Sequence, residues 1–126
     1  MRILLIEDNR IDRTAIMRLL DESVELHWTN DGEPGLRLIE ELPRPLIVIL
    51  DLHLITMRAD EVLARIERED LTKDVRVFVV TGEDDDEVRA RILAHPVAGY
   101  LTKQSIEEEE LRAILADAWR ALEART

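Results

Sequence analysis

Short aliphatic runs alternate with longer segments of helical periodicity, and this alternation restricts the fold more than any other feature of the chain. Two of the runs, Leu46–Leu50 and Val75–Val80, have no polar alternation, which is typical of strands covered on both faces. Apolar side chains recur at helical spacing after each run, and the last such stripe extends from Ile106 to Leu122. The predicted strands are Ile3–Ile6, Leu26–Trp28, Leu46–Leu50, Val75–Val80 and Ala98–Leu101.

A strand-helix alternation of this kind predicts parallel pairing with right-handed crossovers. We expect an α/β fold with an open, doubly wound sheet, because a closed barrel of this type needs about eight strand-helix units. The chain of 126 residues is long enough for one ordinary domain and too short for two, so a single domain over residues 1–126 is predicted. In open sheets the functional crevice lies beyond the carboxyl ends of the strands.

Composition excludes several classes of function. The formal net charge is −11, from 17 basic and 28 acidic residues, which argues against a nucleic-acid-binding surface. There is no cysteine, so disulfides and thiolate metal sites are excluded. The N-terminal sequence MRILLIED turns acidic after a short apolar run, which is typical of neither a signal peptide nor a membrane span. We therefore expect a cytoplasmic protein with no membrane partner.

Polar side chains follow the predicted strands at the end where the crevice is expected. Glu7 and Asp8 follow the first strand, Asp51 ends the third, Thr81 ends the fourth and Lys103 follows the fifth. Three neighbouring carboxylates repel one another, and a hard divalent cation with oxygen ligands relieves that repulsion. The natural cation is Mg²⁺, because it binds through a few carboxylates and keeps several waters. The sequence therefore predicts a magnesium site at this rim.

The same rim suits a phosphoryl group. A strand-end carboxylate such as Asp51 can attack phosphorus, while the Lys103 ammonium and the Thr81 hydroxyl stabilise the charge on the equatorial oxygens. This chemistry also explains why Asp51 ends an otherwise apolar strand: Mg²⁺ and Lys103 offset its charge.

Four pieces of the sequence carry a resemblance that covers essentially the whole chain. LLIEDN (4–9), VILDLHL (48–54), VVTG (79–82) and YLTK (100–103) are similar to the motifs of the response-regulator receiver domain of two-component signalling, in that family's order and at its usual separations. The resemblance implies a five-stranded sheet of order 2-1-3-4-5 flanked by five helices. It also implies a stand-alone, single-domain receiver that takes its phosphoryl group from a sensor histidine kinase or a phosphotransfer protein.

The resemblance assigns metal binding to one set of residues. Asp8 matches the direct Mg²⁺ ligand, and Glu7 matches the acidic neighbour that usually holds the metal through water. The phosphoacceptor, here Asp51, is a further ligand. The last protein ligand is the backbone carbonyl of His53, so the imidazole of His53 is not implied in metal binding.

Phosphoryl transfer and switching are assigned to a second set. Asp51 matches the phosphoacceptor, and Lys103 matches the lysine that contacts the phosphoryl oxygens. Thr81 matches the hydroxyl that reorients toward the acyl phosphate, and Tyr100 matches the aromatic side chain that swings inward with it. Without such a role, Tyr100 is an edge-strand aromatic residue packed against the fourth helix.

Three positions depart from the family's pattern. The family commonly has proline and glycine where this chain has Ile55 and Ala59, and proline where it has Gln104. Without proline, a cis peptide bond costs roughly 3 kcal/mol, so we expect a trans bond between Lys103 and Gln104 and a displaced loop. Ser105 is then predicted to cap the last helix, with Glu108 completing a capping box.

Two alternatives to a phosphorylated receiver follow from the same residues. An aspartate-nucleophile phosphohydrolase places a second Asp two residues after the nucleophile, where this chain has His53. A pseudo-receiver binds partners without phosphate and normally lacks an acidic or lysine residue that this chain retains. For a receiver, we expect no separate turnover substrate, an unknown downstream protein, and self-association through the fourth helix, fifth strand and last helix.

Overall fold

The computed structural model describes residues 1–82 and 85–125, and within them strands and helices alternate along the chain. The strands are β1 (Arg2–Ile6), β2 (Glu25–Thr29), β3 (Leu46–Asp51), β4 (Val75–Thr81) and β5 (Gly99–Thr102). The helices are α1 (Arg10–Leu19), α2 (Gly32–Glu41), α3 (Ala59–Arg68), α4 (Asp86–Leu93) and α5 (Glu108–Glu123). All strand pairs are parallel and their order is β2-β1-β3-β4-β5, which confirms the predicted sheet.

Two apolar layers, one on each face of the sheet, hold β3 in the centre. Successive side chains of a strand point to opposite faces, so Val48 and Leu50 pack in the layer that contains α2 and α3. Ile47 and Ile49 pack in the other layer, against α1 and α5. Every residue of β3 is buried, including Asp51 at its end. The position of the Asp51 carboxylate is therefore fixed, because the strand that carries it is packed on both faces.

Short polar side chains cap the N-termini of three of the helices. Asn9 caps α1 by accepting a hydrogen bond of 3.0 Å from the backbone N–H of Asp12. Asp31 accepts from Gly32 at the start of α2, and Asp85 accepts from the first turn of α4. The acidic run 83–87 lies, from Asp85 onward, at the N-terminus of α4, where negative charge is favourable. Its first two residues, Glu83 and Asp84, lie outside the described residues.

The predicted capping box before α5 is wrong. The helix begins at Glu108, with Glu107 at the cap position and no side-chain hydrogen bond there. The hydroxyl of Ser105 instead contacts the hydroxyl of Thr102, because a turn brings Ser105 N–H back to the Thr102 carbonyl at 3.2 Å. The predicted trans bond before Gln104 is confirmed, since the cis peptide bond in the described residues is Arg44–Pro45.

The apolar stripe of α5 is used within the fold. Leu111, Leu115 and Leu122 are buried against the sheet, and Ile114 and Trp119 are partly buried against the same layer. The stripe therefore gives no separate support for self-association, which stays a prediction based on the resemblance. In the described part of the chain, no helix combines the length and the apolar character needed to cross a membrane.

One edge of the sheet carries a cluster of charged side chains. Strand β2 pairs only with β1, so its outer side is an edge. Arg2 Nε lies 2.7 Å and His27 Nε2 lies 2.8 Å from the same oxygen of Glu25. The hydrogen bond from Arg2, followed by that with His27, lowers the pKa of Glu25 to about 2. Glu25 therefore stays ionised at any pH at which the protein would be studied.

Candidate functional site

Backbone hydrogen bonds continue past the strand ends and bring the predicted site residues together. The N–H of Glu7 donates to the carbonyl of Thr29 at 3.1 Å, and the N–H of Lys103 donates to the carbonyl of Thr81 at 2.7 Å. Asp51 is in register with Val80 of the neighbouring strand. Glu7 and Lys103 thus extend the sheet beyond β1 and β5, and Asp51 lies within it as the last residue of β3.

Three carboxylates meet at this rim, as the sequence predicted. Glu7, Asp8 and Asp51 each offer one oxygen, and these oxygens all lie within 4.8 Å of one another. Glu7 and Asp51 are buried and Asp8 is partly buried. The oxygens are hard ligands of the type that Mg²⁺ and other hard cations prefer. Glu7 Oε1 is buried without a hydrogen bond in acceptable geometry, so it has capacity to bind a cation.

Lys103 is the positive charge of the site. Its Nζ lies 2.7 Å from Glu7 Oε1, 2.7 Å from Asp12 Oδ2 and 3.3 Å from Asp51 Oδ1. The contact with Asp12 is a hydrogen bond, whereas the one with Glu7 is short but lacks hydrogen-bond angles. The predicted approach of Lys103 to Asp51 is therefore present, and two carboxylates lie closer to the ammonium than Asp51 does.

Asp12 is a residue of the site that the sequence reading missed. It lies in the first turn of α1, three residues after the cap residue Asn9, whose side chain accepts a hydrogen bond from the backbone N–H of Asp12. An acidic residue in a first helical turn is usually explained by the helix dipole alone, so the local sequence carries no separate signal for the contact with Lys103.

Burial dominates the ionisation of the carboxylates. Burial raises the pKa of Glu7 to about 7, and contact with Lys103 offsets only part of that effect. Burial also raises the pKa of Asp51, against the lowering by Glu7 and Lys103. For Lys103, burial lowers the pKa, but the carboxylates of Asp12, Glu7 and Asp51 outweigh it and the net pKa is raised. Lys103 is therefore a permanent cation.

The raised pKa of Glu7 predicts how stability depends on pH. Between about pH 4.5 and about pH 7 the folded protein holds a proton on Glu7 that the unfolded chain has released, so raising the pH favours unfolding. The stabilisation is fully present below this window and lost above it. We expect the free energy of unfolding of the metal-free protein to fall by on the order of 2 kcal/mol across the window. Urea titrations with chelator at about pH 5 and about pH 8 measure it.

Glu7→Gln is the control for this prediction. The amide cannot titrate, so the variant should show a shallower pH dependence, and the slope that remains reports the raised pKa of Asp51. A wild-type stability that increases between about pH 5 and about pH 7 would contradict the predicted protonation of Glu7.

The two predicted switch residues lie on the neighbouring strands β4 and β5. Thr81 ends β4 and is fully buried. Tyr100 on β5 is partly buried, packs on the layer that contains α3, and has the Arg89 guanidinium carbon 5.4 Å from its ring centroid. Because Arg89 belongs to α4, the packing of Tyr100 against that helix is observed, while its movement on phosphorylation stays a prediction.

The site opens to solvent through a cleft of ≈ 500 Å³. Its lining includes the carboxylate cluster, Lys103, His53 and Ile55. The side chain of His53 is exposed at the rim, and Ile55 is 83% exposed above the cleft. Asp51, the predicted phosphoacceptor, thus lines a cleft that is open to solvent.

The sequence is similar to known response regulators. Residues 3–116 match the family described as the response regulator receiver domain. The response regulator Rcp1 of Synechocystis is 34% identical over 111 residues, which are 80% of this chain and 75% of Rcp1. The nitrate/nitrite response regulator NarL of Escherichia coli is 31% identical over 115 residues, which are 89% of this chain and 52% of NarL. The chain therefore spans about half the length of NarL.

The fold is also that of solved receivers. A CheY-like response regulator receiver from Methanospirillum hungatei superposes with a TM-score of 0.85 at 21% identity, covering 99% of this chain and 98% of the other. The likeness supports the sheet order and the placement of the strand ends. Together with the match over residues 3–116, it leads to one conclusion: the chain belongs to the response regulator receiver domain family.

Proposed function

We propose that this protein accepts a phosphoryl group on Asp51 with Mg²⁺ and signals through a phosphorylation-dependent change in binding. The observation that carries the proposal is the meeting of three carboxylate oxygens within 4.8 Å with an ammonium 3.3 Å from Asp51 Oδ1. Burying several charges of one sign is costly unless an opposite charge offsets them, and clusters of this kind are typical of functional sites. A bound cation would offset the charge, and phosphoryl acceptance would give the site its function.

In the proposed reaction, a carboxylate oxygen of Asp51 attacks the phosphorus of a phosphohistidine. The new P–O bond forms as the P–N bond breaks, and the electron pair of that bond leaves with the imidazole nitrogen of the donor. Lys103 faces the equatorial oxygens and stabilises their charge, because its ammonium is already beside Asp51. Burial of Asp51 excludes most water from the nucleophile.

Mg²⁺ would be held by Glu7, Asp8, Asp51 and the backbone carbonyl of His53. The donor set fits, since it consists of oxygen atoms and includes a buried Glu7 oxygen without a hydrogen bond. When bound, the cation supplies positive charge that offsets the carboxylates and the transferring phosphoryl oxygens. Metal binding requires ionised carboxylates, so the raised pKa of Glu7 makes affinity weaker below about pH 7.

The proposed output is a binding event. Thr81 would turn toward the acyl phosphate and Tyr100 would follow, which changes the surface that α4 and β5 present. The donor is a sensor histidine kinase or a phosphotransfer protein, and the protein is not an enzyme with a separate turnover substrate. The downstream protein and self-association are further parts of the proposal, and they rest on the family resemblance. A cytoplasmic location is also part of it, and it rests on the composition and the N-terminal sequence.

The test is incubation of the purified protein with acetyl phosphate, with Mg²⁺ or with chelator, followed by intact mass measurement. We expect a single phosphoryl adduct that requires Mg²⁺ and is lost at alkaline pH, as acyl phosphates are. Absence of any adduct with Mg²⁺ present would favour the pseudo-receiver, which binds without phosphate. Sustained release of phosphate from unrelated phosphate esters would favour the phosphohydrolase instead.

A further inference from the structure

Lys103 lies beside three carboxylates before any phosphoryl group is present. An ammonium group has three protons to donate. Here its three carboxylate neighbours are Glu7 at 2.7 Å, Asp12 at 2.7 Å and Asp51 at 3.3 Å. A phosphoryl group on Asp51 would bring additional anionic oxygens to the same ammonium. An esterified Asp51 would no longer carry its own negative charge, so Lys103 would then lie between the phosphoryl oxygens, Glu7 and Asp12. The hydrogen bond from Lys103 to Asp12 would compete with hydrogen bonds to the phosphoryl oxygens.

The three partners differ in how easily they can be released. The side chain of Glu7 is 0% exposed and that of Asp51 is 5% exposed, so a carboxylate left there without Lys103 stays away from water. The side chain of Asp12 is 40% exposed. Its carboxylate can return to water, and hydration then replaces the lost ion pair at small cost. Asp12 is therefore the partner whose release costs least.

We propose that Asp12 is a positioning residue that holds Lys103 in the unphosphorylated protein and releases it to the phosphoryl oxygens on Asp51. This inference rests on the proposed function of Asp51 and adds a regulatory contact to it. Because Asp12 belongs to the first turn of α1, its release would also break the hydrogen bond that joins this helix to Lys103, the residue after β5. Asp12 itself touches no reacting atom.

A purely structural role is the competing explanation for Asp12. Acidic residues in first helical turns stabilise helices through the dipole, and Asp12 is such a residue. Asp86→Asn is a matched control, because Asp86 is an exposed acid in the first turn of α4 at the same end of the sheet. Asp12→Asn and Asp86→Asn each remove one negative charge from a first helical turn, at the third position of α1 and the first position of α4. Of these two variants, Asp12→Asn is the one that removes a contact with Lys103.

The kinetic test measures phosphorylation by acetyl phosphate at saturating Mg²⁺. Asp12→Asn should be phosphorylated about 2- to 5-fold faster than wild type, which is the range that a partly exposed ion pair of the resting state can supply. Asp86→Asn should show the wild-type rate, and Asp12→Glu should restore it because a carboxylate returns. Thermal melting of each variant separates this effect from a change in stability.

The spectroscopic test needs no phosphoryl transfer. The chain contains two lysines, Lys73 and Lys103, so ¹³C-labelled lysine gives two side-chain signals. Lys73 is exposed and precedes β4 at the opposite end of the sheet, which makes it an internal reference. In the unphosphorylated, metal-free protein, Asp12→Asn should shift the Lys103 ε-methylene signal and leave the Lys73 signal in place. Asp86→Asn should shift neither.

The outcomes separate the two proposals. A rate for Asp12→Asn that equals or falls below that of Asp86→Asn would overturn the release step. An unchanged Lys103 signal would overturn the contact itself. If wild type takes no phosphoryl group while the Lys103 signal responds to Asp12→Asn, then the contact is real but both the proposed function and the release step are overturned.

Discussion

Asp51→Asn is expected to take up no phosphoryl group from acetyl phosphate, whatever the Mg²⁺ concentration. The amide has nearly the shape of the carboxylate and stays at the end of the buried strand β3, so the fold should be retained. It lacks the anionic oxygen that attacks phosphorus, and it replaces one of the three carboxylates of the cluster with a neutral amide. Intact mass measurement over a full time course gives the result directly.

Asp31→Asn is the matched control for this variant. Asp31 follows the edge strand β2 at the same rim, where it caps α2 and contacts Thr56, and asparagine preserves a capping side chain. The control should be labelled as wild type is. Labelling of Asp51→Asn at the wild-type rate would show that another residue accepts the phosphoryl group. Proteolytic mapping of the adduct would then identify that residue.

Lys103→Ala is expected to keep the fold and lose phosphoryl transfer by about a hundredfold or more, the usual effect of removing a group that stabilises transition-state charge. Truncation leaves Glu7 and Asp51 buried without their cation. Glu7 can accept this change by holding its proton, since its pKa is already raised to about 7. The measurement pairs a phosphorylation time course with thermal melting.

Lys73→Ala is the natural control, because Lys73 is the other lysine of the chain and lies exposed before β4. It should leave both the rate and the melting temperature unchanged. If Lys103→Ala were labelled at the wild-type rate, the ammonium would serve only to neutralise Glu7 and Asp12 in the resting protein.

The sheet and the main site were predictable because each depends on local sequence. A fully apolar run such as Leu46–Leu50 indicates a strand buried on both faces, and the residue after it must lie at the sheet rim. Parallel pairing then brings Glu7, Asp51 and Lys103 to one edge, whatever the details of the loops. The predicted strand limits differ from the observed ones by about one residue, which does not change which side chains reach the rim.

Features that depend on distances between elements were not predictable. The contact between Lys103 and Asp12 joins residues 91 positions apart, and nothing in the local sequence of either one requires it. The failed capping box before α5 has a similar cause. Ser105 is locally a good capping residue, but the turn after β5 places its hydroxyl beside Thr102 instead.

The departures from the family pattern have physical explanations in the structure. Ile55 is exposed above the cleft, so its position imposes no steric requirement for proline. Ala59 is fully buried as the first residue of α3, where a small side chain fits. Gln104 donates from its side-chain amide to the carbonyl of Gly82 at 2.8 Å, which joins the loops after β5 and β4.

The charged edge at β2 has a consequence for behaviour at high concentration. An unpaired strand edge is a template on which another chain can add, and such addition leads to aggregation. The carboxylate of Glu25 on β2 is ionised, because its pKa is about 2. A second chain that paired with β2 would bury this carboxylate in the new interface together with Arg2 and His27. That desolvation opposes sheet-to-sheet growth, so this edge protects the protein from intermolecular β-pairing in a crowded cell.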